Sequence, residues 1–345
     1  MNRGLVLHWF LPTTGDSRGI LGADTKAGSH HRRADASAGE RPPDIRYLGQ
    51  IARSAEQLGF EGALTPTGSA CEDAWVMTAG LSQVTERLKF LVAFRPGLLS
   101  PTLAAQMAAT FQRISRGRLM LNVVTGGDLT EQQRFGDFLS KEERYARADE
   151  FLTVVRGAWS EDGIDFDGDH YTIRGARVEE PPAWPPIYFG GSSEPALRVA
   201  ARHADVYLTW GEPPIQVSEK LARIRALAEA EGRLGAVRFG IRLHVIARAT
   251  AAEAWAAADQ LIANLDEAQF ASAQAIQRHS ESEGQRRMRE LHGGRLPRRR
   301  GRRAAAARAG VAAPRRRARA GRGRLKRDGI PAGRAQLSGW RGSSA

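Results

Sequence analysis

A single cysteine, Cys71, stands in 345 residues, so no disulfide can form within the chain and the small disulfide-stapled scaffolds are excluded. No apolar run approaches the roughly 20 residues that cross a bilayer as a helix, and no membrane partner is expected. The stretch from Met1 to Pro12 lacks a basic leader followed by a small-residue cleavage site, so the expected location is the cytoplasm. Histidine is sparse. His8 and the His30–His31 pair have neither metal-ligand spacing nor supporting carboxylates, and no metal is expected.

The 42% hydrophobic and 26% charged fractions are ordinary for a globular protein, and the length accommodates one barrel of about 250 residues or more. The net charge of +13 invites a nucleic-acid reading until its distribution is seen. Arg295–Ala345 holds 16 Arg, one Lys and one Asp, a net of +16, which leaves 34 basic and 37 acidic residues in 1–294, a net of −3. Two parts follow: a mildly acidic globular part, 1–294, and an Arg/Ala/Gly-rich tail, 295–345. The tail has no apolar periodicity and is expected to be disordered. Its aromatic content is Trp340 alone, so specific nucleic-acid recognition is not expected, although non-specific, salt-sensitive binding by a broken product remains the alternative of a different class.

Within 1–294, short apolar or β-branched runs alternate with longer amphipathic stretches, the pattern of repeated βα units around a parallel sheet. Strands are predicted at Leu5–Phe10, Gly62–Thr65, Phe90–Phe94, Leu119–Val124, Ile187–Phe189, Asp205–Thr209 and Phe239–Ile246. Helices are predicted at Ile45–Leu58, Thr102–Ile114, Lys141–Trp159, Glu194–His203, Ile215–Glu231 and Ala251–Leu265. Ile164–Val178 alternates around DGDH and predicts a β-hairpin inserted on the barrel. Gly15–Pro43 reads as a mobile loop. No eighth strand is recognisable, so the fold class is α/β, a (β/α)8 barrel short of its last strand.

In such a barrel the site lies at the C-terminal ends of the strands. The residues falling there are Cys71, Asn122, Thr125, Gly190–Ser193, Trp210, Arg242 and His244. A strand running into Gly190-Gly191-Ser192-Ser193 and then a helix aims backbone N–H groups and two hydroxyls at an anion such as phosphate. Alternatively the glycines serve a tight turn and a Ser caps the helix. On the seventh strand Arg242 and His244 share the face opposite Phe239 and Ile241. An inward arginine is costly unless paired, and either an anionic substrate or a structural carboxylate serves. His244 beside it is a candidate proton-handling group. Cys71 reads as a small inert residue or, at a helix start among Gly, Ser and acidic side chains, as a binding group; no nucleophilic triad accompanies it. Trp210 walls a flat cofactor or packs. Tyr145 reaches the phosphate or lies on an ordinary helix face.

Together the segments WFLPTTGD (Trp9–Asp16), PTGSACEDAW (Pro66–Trp75), RLKFLVAFRPG (Arg87–Gly97), NVVTGGD (Asn122–Asp128), ERYARADEF (Glu143–Phe151), PPIYFGGSS (Pro185–Ser193), YLTWGEPP (Tyr207–Pro214), FGIRLHVIAR (Phe239–Arg248) and GQRRM with LHGG (Gly284–Gly294) resemble the two-component, FMNH2-dependent alkanesulfonate monooxygenases of the bacterial luciferase-like superfamily. The resemblance implies a luciferase-like TIM barrel taking reduced FMN from a separate NAD(P)H-dependent FMN reductase. It also implies use of O2 to desulfonate alkanesulfonates to aldehyde and sulfite in sulfur metabolism, and a homo-oligomer. By the same resemblance Cys71, Arg242, His244 and Trp210 are the expected catalytic residues, and Asn122, Thr125, Tyr145, Gly191, Ser192 and Ser193 the expected flavin-binding ones. A related barrel monooxygenase acting on a sulfone or an alkane is the nearest alternative.

The chain departs from that family after LHGG, where members continue with a mobile arginine-bearing loop, a helix and an eighth strand ending in a tyrosine. Its abrupt change of composition there resembles out-of-frame reading of a GC-rich gene, with a genuine basic tail as the alternative. The departure implies an open seam between the first and seventh strands and weak or no activity for this particular chain.

Overall fold

β1 (His8–Phe10), β2 (Gly62–Thr65), β3 (Lys89–Phe94) and β4 (Leu119–Val123) alternate with helices α1 (Ile45–Gln57), α2 (Ala74–Ser82) and α3 (Pro101–Ser115) in a computed structural model that describes residues 4–16, 41–263, 271 and 280–292. Helices α4 (Leu129–Arg134) and α5 (Lys141–Ala158) follow, then the hairpin of β5 (Ile164–Asp167) and β6 (Thr172–Ala176). The alternation resumes with β7 (Ile187–Gly190), α6 (Glu194–His203), β8 (Val206–Trp210), α7 (Pro214–Ala230), β9 (Arg238–Arg242) and α8 (Ala251–Leu261). The last described helix, α9, spans Glu283–His292. These residues lie in one compact unit, Met1–Arg299. Most of the loop expected at Gly15–Pro43 and the tail from Arg295 lie outside the described residues.

The main sheet has seven parallel strands in the order β1-β2-β3-β4-β7-β8-β9, the seven that the apolar runs predict. Side chains alternate strictly along them, as a pleated strand requires. Phe90, Val92 and Phe94 of β3, Leu119, Leu121 and Val123 of β4, and Ile187 and Phe189 of β7 pack into the larger core between sheet and helices. The residues between them, Leu91, Met120 and Tyr188, join Val206 in a second cluster with Leu64 and Leu208 against it. That smaller cluster fills the inside of the curl. The two layers explain why these strands read as unbroken apolar runs, since both faces are buried. Each fully buried Leu or Phe contributes about 1.5–3 kcal/mol.

The curl is visible in contacts between strands that share no backbone hydrogen bonds. His8 on β1 meets Tyr188 on β7 edge-on at 5.8 Å, and the Arg242 guanidinium on β9 lies 4.9 Å from the centre of the Phe10 ring on β1. Burial lowers the His8 pKa, which favours its neutral form among these apolar neighbours.

Helix starts follow capping chemistry. Asp44, Asp73 and Ser100 accept hydrogen bonds from the first turns of α1, α2 and α3, and Ser140 with Glu143 forms a capping box on α5. Ile164–Val178 is the expected hairpin, antiparallel β5 on β6. Among the described residues no helix is long and apolar enough to cross a membrane.

Three expectations are corrected. The seventh strand, expected through Ile246, ends at Arg242. Beyond it Leu243 is 56% and Val245 77% exposed; among the described residues no strand pairs with the outer edge of β9, so nothing holds its last residues extended. α2 was not expected because AWVMTAGLS is apolar on nearly every side and shows no helical period. α9 was not expected either, for its spacing carries charge rather than an apolar stripe.

Candidate functional site

Every strand of the main sheet sends a residue at or just past its C-terminal end into one open cleft of about 560 Å³. Phe10 comes from β1, Pro66 and Thr67 follow β2, Ala93 and Arg95 end β3, Asn122–Asp128 end β4, and Gly190–Ser193 end β7. Leu208–Trp210 come from β8 and Arg242 from β9, while Tyr145 of α5 and residues 280–285 before and within α9 complete the wall.

The turn after β7 is the most particular part of this wall. Gly191 has no room for a side chain: a Cβ there would meet the Ala196 Cβ at 2.6 Å and the Tyr145 Oη at 3.4 Å. The Tyr207 hydroxyl donates to the Gly191 carbonyl, and burial raises the Tyr207 pKa further, so that phenol stays neutral and fixes the turn. Ser193 occupies the N-cap position of α6 yet makes no capping bond through its side chain, and its buried Oγ has no partner. Of the two readings of Ser193, the capping bond is absent. Ser192 Oγ accepts a hydrogen bond from Lys220 Nζ at 2.8 Å.

Lys220 belongs to an ion cluster behind the turn. Its ammonium also donates to Glu212 Oε1 at 2.8 Å, and Arg287 of α9 donates to both Glu212 oxygens at 3.1 and 2.9 Å. Burial pushes the Glu212 carboxyl up, but the hydrogen bonds from Arg287 and Lys220 outweigh it and hold the group below the usual carboxylate range. Burial pulls the Lys220 pKa down against the opposing pull of Glu212.

Arg242 lines the opposite side. Among the described residues it has no carboxylate partner; its guanidinium rests on Phe10, and loss of water around it lowers its pKa without threatening its charge. Arg242 is exposed at the end of β9, and its guanidinium reaches over Phe10 to line the cleft. The structural salt bridge considered for it is therefore not found there.

The floor after β4 is shaped by Gly126, whose φ of 81° suits glycine and whose missing side chain leaves room for Gln132, which donates to the Thr125 carbonyl at 3.2 Å. Nearby, Glu131 accepts from the Ser69 N–H at 2.7 Å and pairs with the buried Arg95. The wall from α9 is held by polar ties: Glu281 N–H donates to the Gly127 carbonyl at 2.7 Å, and the fully buried Arg144 donates to Glu281 at 2.6 Å. Gly284 lies beside Trp210: a Cβ there would stand 3.4 Å from the indole ring.

Of the residues singled out from the sequence, Asn122, Thr125, Tyr145, Gly191, Ser192, Ser193, Trp210 and Arg242 meet around this cleft. Cys71 and His244 are not in its wall. Cys71 lies half-buried in the β2–α2 loop, donating its N–H to the Gly68 carbonyl. His244 is exposed two residues past the end of β9. The sequence reading missed Arg95, Glu131, Lys220, Glu212 and Arg287. Glu131 and Lys220 look like solvated charges on helices, whereas RLKFLVAFRPG, YLTWGEPP and GQRRM, already singled out, contain Arg95, Glu212 and Arg287 without marking them individually.

The described fold is similar to those of several solved structures. A long-chain alkane monooxygenase (LadA) superposes with a TM-score of 0.68 at 19% identity, covering 80% of this chain and 72% of that one. Riboflavin lyase (RcaE), solved with modified FMN and riboflavin, gives 0.65 at 21% over 79% and 70%. EDTA monooxygenase (EmoA) from Chelativorans sp. BNC1 gives 0.63 at 19% over 80% and 70%. At these identities the likeness concerns the fold. The model of the luciferase-like monooxygenases matches residues 22–322, most of the chain, and the protein therefore belongs to the luciferase-like monooxygenase family.

Proposed function

We propose that the cleft binds reduced flavin mononucleotide and that the protein uses it with O2 to desulfonate an alkanesulfonate to an aldehyde and sulfite. The observation that carries the reading is a pair of complementary walls: an anion-type turn with an unspent buried Ser193 hydroxyl on one side, and on the other the Arg242 guanidinium facing the cleft without a carboxylate.

The donor set fits a flavin phosphate. Gly191, Ser192, Ser193 and Tyr145 all line the cleft beside the N-terminus of α6, where partial positive charge favours an anion. Trp210 offers a flat apolar face for the ring, and Asn122 and Thr125 supply polar edges from β4. When bound, the reduced flavin supplies the activation of O2. Arg242 holds the sulfonate, a permanent anion, by charge-assisted hydrogen bonds. The wall formed by residues 280–285 narrows access for water. Cys71 and His244, outside this wall, carry no step in the proposal.

The overall change balances: R–CH2–SO3⁻, O2 and FMNH2 give R–CHO, bisulfite, FMN and water, with the two electrons coming from the flavin. An NAD(P)H-dependent FMN reductase sharing the cytoplasm regenerates FMNH2. For the segment from Arg295 we propose out-of-frame translation, which sequencing the coding DNA around codon 294 tests, and which predicts a slow enzyme.

The assay is sulfite release from straight-chain alkanesulfonates in the presence of FMN, NADH and a flavin reductase. Sulfite in proportion to added alkanesulfonate and absent without O2 is expected, even at a low rate. Oxidation of an alkane or a dialkyl sulfone with no sulfite from any sulfonate would contradict the reading.

A further inference from the structure

We infer that Lys220 is a positioning residue for the phosphate of the cofactor, acting through Ser192 and making the site prefer a phosphorylated flavin over an unphosphorylated one. The inference rests on the flavin reading above and names a residue that lies outside the cleft wall.

The buried stripe of α7 consists of Lys220, Ile224 and Ala228, positions four apart that share one helix face. The first calls for an apolar side chain like the other two. It carries instead a lysine whose side chain is 4% exposed, paired with Glu212 at 0%. Burying such a pair does not by itself stabilise a fold, and well-packed apolar residues commonly serve as well or better. Stability is therefore a poor reason for a lysine here, whereas its position is informative.

The Lys220 ammonium can only donate. With 2.8 Å contacts to Glu212 Oε1 and Ser192 Oγ, it makes Ser192 the acceptor and leaves the serine's own hydrogen to point elsewhere. The neighbouring Tyr207 hydroxyl, which donates to the Gly191 carbonyl, is within reach as an acceptor for that hydrogen, but a charged anion is the stronger one. An anion in the cleft, which Ser192 lines, is the acceptor that this arrangement prepares. Charge agrees with it: Glu212 is shared between Lys220 and Arg287, a trio of net +1, while Glu283, the other carboxylate acting on Lys220, is paired with Arg286. A phosphate monoester is the cofactor group whose charge this complements. The flavin ring and the ribityl chain would not use it.

The test is titration of the full-length protein with FMN and with riboflavin, followed by quenching of flavin fluorescence, on the wild type and on Lys220→Met, Lys220→Arg and Glu212→Gln. Lys220→Met leaves Glu212 bridged to Arg287, so no lone buried carboxylate is created. Its FMN affinity should fall by about tenfold or more while its riboflavin affinity is unchanged. Lys220→Arg should restore most of the preference, and Glu212→Gln, which frees the ammonium, should keep or strengthen it. Equal loss for both flavins in Lys220→Met, no loss at all, or loss of the preference in Glu212→Gln would overturn the inference and mark the pair as purely structural. A wild type that does not prefer FMN over riboflavin would overturn the flavin reading itself, and this inference with it.

Discussion

Arg242 and Phe10 join the two free edges of the sheet: the guanidinium of the last strand sits 4.9 Å from the ring centre of the first, although no backbone hydrogen bond links β9 to β1. The contact keeps a cation at the mouth of the curl where a closed barrel would have a strand alongside. A cation on an aromatic face gains about 0.5–2 kcal/mol, far less than pairing with a carboxylate would commit, so the arginine keeps its hydrogen-bonding capacity for a ligand. Arg242→Met should raise KM for alkanesulfonates by about 10- to 100-fold while leaving FMN affinity unchanged; steady-state kinetics beside flavin titration separates the two.

Gly126 should not tolerate a side chain. Its φ of 81° and the Gln132 amide lying where a Cβ would go both oppose one. Gly126→Ala is expected to lose more than about 1 kcal/mol of stability and, by displacing the floor after β4, to weaken flavin binding. Urea unfolding and FMN titration on the same sample check both.

Glu281 ties α9 to the cleft through Arg144, whose side chain is 1% exposed. Glu281→Ala leaves that guanidinium with the Leu139 carbonyl as its remaining hydrogen-bond partner among the described residues and should cost about 1–3 kcal/mol. If the segment also screens the cleft from water, the variant should oxidise NADH with less sulfite per turnover, which coupled measurement of both products reveals.

Acid should weaken the fold through His203 and Asp149. The His203 ring on α6, 2.9 Å from Asp149, has its pKa lowered by burial despite the carboxylate. Asp149 is pushed up by burial but pulled further down by His203 and Arg202. A histidine whose folded pKa lies below its unfolded value near 6.5 binds fewer protons folded than unfolded, so its contribution is complete above that pH and is lost as pH falls below it. The depressed aspartate adds a second loss below about its usual 3.8. Melting temperature should drop between pH 7 and pH 5, and His203→Gln should flatten that slope.

Much of the scaffold was legible because both faces of the inner strands are buried. Phe90–Phe94 or Ile187–Phe189 can hardly be anything but strands when a Gly-rich turn and an amphipathic helix follow. The cleft was legible to the same extent, since the ends of parallel strands must converge and the turn at Gly190–Ser193 announces itself. The sequence favours an anion ligand over a cap at Ser193 from the barrel position alone, and the structure adds that the side-chain capping bond is absent. The end of β9 was overextended because alternation in Leu243–Ile246 continues where pairing stops. Lys220, Glu212 and Arg287 were invisible because they are separated along the chain and meet only when α7 and α9 pack behind the turn.

The most direct measurement is a crystal structure of the full-length protein soaked with FMN. Its phosphate should lie in the turn of Gly191–Ser193 within hydrogen-bonding distance of the Ser193 hydroxyl, with the ring against Trp210 and open space between the ring and Arg242. Flavin bound elsewhere on the molecule, or lying with its phosphate on Arg242 and its ring at the turn, would contradict the assignment of the two walls.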